Sequence, residues 1–211
     1  ASSLGTVDEV RRYREGTGEP VEVGSDGDLT GGEPLAAVIR RRGSARNFTL
    51  EPMPAPRLAA ILEAASAHIP GDLPRANEIH LIANAVEGVE PGAYRFRPPG
   101  RFELLKAGSF RSSAGYLALE QEHAARAAAT HFLTAELEPL LGALGNRGYR
   151  AAQLEAGIRA GRLYLGAYAR GLGATGLTFY DDEVGRFFTG DTRTSAMLCV
   201  AVGPDARRRR S

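Results

Sequence analysis

The chain reads as an α+β protein, on three observations. Short apolar runs rich in β-branched or aromatic residues recur at 78–86, 93–97, 127–135 and 195–202, each bounded by glycine, proline or polar residues. One segment, Tyr149 to Arg170, keeps a helical pattern without interruption. Helical and extended stretches follow one another without the regular strand–helix–strand alternation that a parallel doubly wound sheet requires.

Residues 1–33 are polar and contain seven glycines, so they read as a lead-in or linker, with a short helix over Asp8 to Arg14. Pro34 sits where the first turn of a helix accepts proline, and Leu35, Val38 and Ile39 follow at helical spacing. Gly43 is expected to stop that helix by taking the left-handed conformation. Pro56 opens a second helix with Leu58, Ile61, Leu62 and Ala65 on one face, and Pro70, Gly71 and Pro74 close it. Residues 78–86 predict a buried strand, 93–97 alternate like an edge strand, and 101–106 supply its hairpin partner. An Ala-rich helix is expected over 112–126, a strand to residue 135 and a helix to Leu144. From Tyr149 to Arg170 apolar residues wrap most of the circumference, which predicts a buried helix. Gly157 and Gly161, one turn apart, would let another helix approach closely and point to a dimer interface. Gly171-Leu172-Gly173 caps it, a strand follows to Phe179, Asp181-Asp182 begins a helix, and Ser195 to Val202 is a last buried strand.

With 211 residues, 43% of them hydrophobic, and a formal net charge of +1, this is an ordinary globular chain with enough length for one sizeable core. The balanced charge argues against broad nucleic-acid binding, and Arg207 to Arg210 have no interleaved aromatic residues to make a stacking platform. That run reads as a basic C-terminal tail. Cys199 is the only cysteine and lies in an apolar run, so it reads as a buried strand residue. His68, His80, His123 and His131 are scattered, and no Cys/His spacing implies a metal. No stretch approaches the ~20 apolar residues of a membrane span, which makes the cytoplasm the default expectation.

The densest chemistry lies in Arg41-Arg42-Gly43-Ser44-Ala45-Arg46-Asn47-Phe48: three guanidinium groups and a hydroxyl within six residues, at the end of a helix. Fixed positive charge, planar bidentate donors and a small hydroxyl suit a phosphate. A solvated helix end meeting its own negative pole would look the same.

Four segments in order resemble the nitroreductase superfamily of flavoproteins, and most closely its SagB/ThcOx-type dehydrogenases. They are the Arg41–Phe48 stretch, then Gly88-Val89-Glu90-Pro91-Gly92-Ala93-Tyr94-Arg95-Phe96, then Gly145-Asn146-Arg147-Gly148-Tyr149-Arg150 running to Gly157, and Gly171 to Leu177 with Asp181-Asp182 after it. The resemblance implies a three-layer α+β fold over residues 34–206, with a mostly antiparallel central sheet flanked by helices, dimeric through its long helices. It also implies FMN in a groove at the subunit interface. Arg42 and Ser44 would face the FMN phosphate and ribityl chain, and Gly43 would let the backbone come close. Arg46 would approach the N1–O2 edge, and Thr178 and Phe179 would place a backbone N–H against N5. Arg207 would add a phosphate contact.

The same resemblance implies an oxidoreductase that converts azolines to azoles in peptide natural-product biosynthesis. Alternatives are an NAD(P)H-dependent reductase of nitroaromatics or quinones, and a non-catalytic half of a tandem protein that pairs with a second such domain. The substrate would be a peptide or a small molecule. Three departures from the family pattern bear on this choice. The Lys-Tyr pair of azoline-oxidising relatives aligns with Ala143-Leu144, neither of which can carry a proton. Ile158 stands where relatives tend to have histidine, and Pro70 to Asn77 replaces the segment that covers the flavin in many of them.

Overall fold

The computed structural model of the chain describes residues 21–24, 34–70 and 75–206. The expected Asp8–Arg14 helix and the Arg207–Arg210 run lie outside the described residues. Nine strands and seven helices make up the described part: β1 Val21–Glu22, α1 Leu35–Arg41, β2 Met53–Pro54, α2 Ala55–Ser66, β3 Asn77–Ala83, β4 Val86–Glu87, β5 Gly92–Arg97, β6 Arg101–Ala107, α3 Arg111–Leu117, α4 Glu122–Arg126, β7 Ala129–Glu136, α5 Leu137–Leu144, α6 Arg147–Ala169, β8 Gly173–Leu177, α7 Asp181–Thr189 and β9 Thr194–Gly203.

Seven strands form one sheet in the order β1-β6-β5-β3-β7-β9-β8, and every neighbouring pair is antiparallel. Side chains alternate between its two faces, and both faces are covered. Leu81, Leu133, Val200 and Val202 pack with α2 and α6, whereas Ile82, Phe132, Cys199 and Ala201 pack with α3, α4 and α7. These are the three layers that the fold class implies.

The sheet corrects one expectation. β5 alternates in sequence but is internal, between β6 and β3. Arg95 and Arg97 are accommodated there because Glu103 and Glu78 on the adjoining strands meet them at 2.7 and 2.8 Å. The strand expected to run to Val86 stops at Ala83; the N–H groups of Asn84 and Ala85 both turn onto Ala128 O, and Val86–Glu87 pairs in parallel with Met53–Pro54.

The Ala-rich stretch is likewise not one helix. It breaks between α3 and α4, where Leu119 and Glu120 take φ of 55° and 59°. Helix propensity is a weak preference. Here Gln121 overrides it by bonding Ala118 O and Thr178 across the break.

α6 is not buried all round. Tyr149 and Leu154 are 46% and 55% exposed, and Gly157 and Gly161 face open space. The glycine that admits a neighbouring helix is Gly166, where a Cβ would meet Ile61 of α2 at 3.5 Å. The buried face carries an ion pair: Glu155 and Arg159 bond at 2.7 Å, and Glu155 also accepts from the N–H groups of Ala76 and Asn77 and from Asn77 Nδ2. The three donors from Ala76 and Asn77 tie α6 to the start of β3. At its other end α6 finishes as expected: Gly171 has φ +76°, Leu172 N donates to Ala167 O, and Gly171 N donates to Tyr168 O.

Candidate functional site

The basic loop is set by its two neighbours. α1 stops at Arg41 because Arg42 is extended (φ −60°, ψ 143°), its N–H still reaching Val38 O. Gly43 has no left-handed φ, so the expected glycine stop is corrected: the chain leaves the helix by extension. It extends because Ala45 adds itself to the edge of β8, its N–H donating to Ala174 O at 2.9 Å. The loop then pairs with the segment after β9, where Thr49 N donates to Pro204 O and Ala206 N to Asn47 O. Arg207, the next residue, lies outside the described residues.

Between these anchors the side chains of Arg42, Ser44 and Arg46 are exposed and have no partner among the described residues, whereas Arg41 is held by Tyr168 O at 2.8 Å. Among the described residues, a Cβ at Gly43 would meet only Tyr168 Oη, at 3.9 Å, so none of them fills the space beside that backbone.

The second predicted segment lies at the far end of the same strand. Four residues on from Ala174, about 13 Å along an extended chain, Thr178 leaves β8. Gln121 Nε2 holds the Thr178 hydroxyl at 2.8 Å and its carbonyl at 3.3 Å. The backbone N–H groups of Thr178 and Phe179 have no partner among the described residues. Two cations, a hydroxyl and an open backbone at one end, with free backbone donors at the other, fit an elongated ligand with an anionic tail and an acceptor-bearing ring. The residues present therefore fit FMN.

Sequence reasoning missed three residues along this edge. Tyr164 accepts from Gly176 N, Tyr168 reaches toward Gly43, and Gln121 fixes Thr178. The tyrosines stand one turn apart on α6, a spacing visible in the sequence but submerged in a helix read as apolar over most of its circumference.

Other candidate groups are occupied structurally. His80 bonds Thr134 Oγ1 at 2.9 Å and His131 bonds Val200 O at 3.0 Å, both buried. Burial pushes the Cys199 thiol far up, so it is unreactive. Among the described residues no group of His, Cys, Asp and Glu is placed to hold a metal ion, and no helix is long and apolar enough to cross a membrane.

An antiparallel sheet between two helical layers, with a basic loop and a donor-bearing turn on one edge strand, defines a redox-enzyme architecture of the nitroreductase type. The Nitroreductase family matches residues 39–203, and the chain belongs to that family. A protein of Methanocaldococcus jannaschii named as a nitroreductase is 29% identical over 164 residues, covering 71% of this chain and 81% of its own. A crystal structure from Anabaena variabilis, also named as a nitroreductase, superposes with a TM-score of 0.76 at 25% identity. The match covers 81% of this chain but 38% of that one, so the chain spans under two-fifths of that protein's length. The Escherichia coli microcin synthetase McbBCD complex shares the fold at 18% identity and a TM-score of 0.66, over 96% of this chain and 83% of its counterpart.

Proposed function

We propose that this protein is an FMN-dependent oxidoreductase that takes electrons from NAD(P)H and passes them to a small aromatic acceptor. One observation carries the cofactor reading: Arg42, Ser44 and Arg46, on a loop locked to β8, and the N–H groups of Thr178 and Phe179, at the other end of the same strand, have no partner among the described residues. When bound, FMN supplies hydride chemistry at N5. The chain supplies the rest. Arg42 and Ser44 hold the phosphate and ribityl chain, and Arg46 places fixed positive charge where negative charge gathers on reduction. Thr178 and Phe179 donate to N5, and Gln121 keeps that turn in place.

Electron flow from NAD(P)H is favoured over azoline oxidation because residues 143 and 144, where azoline-oxidising relatives carry a proton relay, are Ala and Leu on an exposed helix. The dehydrogenase reading keeps one support, the coverage of almost the whole chain by a microcin synthetase fold. A second subunit, or a second domain of this kind, would complete the groove against the open face of α6 around Leu154, Gly157 and Gly161.

Purified protein incubated with FMN and desalted should keep the flavin absorbance bands, and NADPH added without oxygen should bleach them. Arg42→Ala should weaken FMN binding about 10- to 100-fold, the worth of one charge-assisted hydrogen bond, with Arg40→Ala close to wild type. Colourless protein, or equal loss in the two variants, overturns the assignment. Turnover of a cyclised peptide with oxygen, without bleaching by NADPH, would select the dehydrogenase instead.

A further inference from the structure

Two bonds define which way the open edge of β8 faces. In an antiparallel ladder a residue's N–H and C=O point to the same side, and successive residues alternate. Ala174 O accepts from Ala45 N and Gly176 N donates to Tyr164 Oη, so both residues face away from β9. Thr178, two residues further on, continues that side. Ala174 is buried beneath the loop, whereas Gly176 and Thr178 are exposed. Tyr164 therefore meets the edge midway, about 7 Å along the strand from either end.

The Tyr164 hydroxyl is only half used. A phenol both donates one hydrogen bond and accepts. Tyr164 Oη accepts from Gly176, and no described residue takes its proton. Water could satisfy an exposed backbone N–H, so this bond is not needed to complete the strand. What the tyrosine adds is a donor in a fixed place: α6 carries the ring, and Gly176 N–H pins the oxygen. Gly176 leaves the room for it, since a Cβ there would stand 3.3 Å from Tyr164 Oη.

We infer that Tyr164 recognises the ribityl chain of the flavin, its hydroxyl donating to a ribityl hydroxyl. The inference rests on the proposed flavin reading: with the phosphate at Arg42 and Ser44 and the ring at Thr178, the linker between them passes Gly176, the point that Tyr164 covers. A chain of hydroxyls donates and accepts alike, so a neutral phenol suits it as a guanidinium suits the phosphate. Tyr164 thereby selects a ligand whose linker is polyhydroxylated.

Binding of FMN, riboflavin and lumiflavin to the full chain, followed by flavin fluorescence, tests this on wild type, Tyr164→Phe and Arg42→Ala. Riboflavin keeps the ribityl chain without the phosphate, and lumiflavin keeps the ring alone. Tyr164→Phe should weaken FMN and riboflavin by the same factor, about three- to tenfold, the worth of one neutral hydrogen bond, and should treat lumiflavin as wild type does. Arg42→Ala should weaken FMN and spare riboflavin, as a phosphate contact would. A Tyr164→Phe protein that binds FMN as tightly as wild type overturns the inference and leaves the flavin reading standing. Loss of lumiflavin by the same factor as FMN also overturns it, because the hydroxyl would then act on the ring or on the strand. A wild type that binds none of the three flavins overturns the flavin reading, and the inference with it.

Discussion

Gly173 sits where three segments cross. A Cβ built on it would stand 2.8 Å from Ala45 Cβ and 2.9 Å from Asp205 Cβ, both part of the frame of the basic loop. Neither neighbour can swing aside, because Ala45 is bonded through its backbone to Ala174 and Asp205 is bridged to Phe48. Gly173→Ala should therefore push the loop off the sheet edge and cost about 1–3 kcal/mol, read as a lower denaturation midpoint, together with weaker FMN retention. Unchanged values for both would mean that the loop is not held at that crossing. At this scale the sequence was legible where chemistry is written in residue type: Arg42, Ser44 and Arg46 stand out as a phosphate-type cluster. It was not legible where the reason lies in a distant contact. Nothing near Gly173 in the chain announces Ala45, and nothing near Glu155 announces that β3 begins against it.

Among the elements, α6 has two unlike faces. One buries Ala152, Ala156, Leu163 and the Glu155–Arg159 pair; the other leaves Gly157 and Gly161 open. Glycine in a helix interior costs about 1 kcal/mol relative to alanine, and among the described residues nothing at either position requires it. We expect the wild-type protein to sediment as a dimer through this face and Gly157→Leu to sediment as a monomer of undiminished thermal stability. Leucine is a good helix former, and no atom of the described residues lies within 4 Å of the added Cβ. A Gly157→Leu dimer would remove α6 from the interface. The periodic pattern of residues 149–170 gave the length of this helix but not its faces, because alanine and glycine mark buried and contact positions alike. The break between α3 and α4 was hidden for a similar reason: alanines favour helix, and the side chain that enforces the turn, Gln121, acts on a residue far along the chain.

For the whole molecule, the two buried histidines make stability depend on pH. Burial, aided by Arg95 and Arg97, lowers His80 to about 3. Burial lowers His131 to about 4, against the opposing effect of its bond to Val200 O. Both folded values lie below the unfolded value near 6.5, so between pH 6.5 and about 4 the unfolded chain binds protons that the folded one refuses. Stability should fall on acidification by about 1.4 kcal/mol per pH unit for each histidine, or about 4 kcal/mol for the pair between pH 7.5 and 5. Urea titrations at those two pH values check it. His131→Gln should reduce the pH slope by about half, and an unchanged slope would show that His131 does not contribute. The three-layer plan was legible only through the family resemblance, because β7 and β9 are apolar on both faces; their residues divide between the two cores. Strand order was not, because pairing between segments as remote as 77–83 and 129–136 leaves no local trace.

The basic loop is synthesised early and anchored late. Residues 42–48 leave the ribosome long before Ala174, Pro204 and Ala206, the groups that fix them in place. A nascent chain halted before β8 would display the arginines on a tether with no edge to dock against, and one halted before β9 would lack the strand that β8 pairs with. Capture of the proposed flavin would thereby wait until residues 204–206 have been made, so products truncated before β9 should emerge colourless.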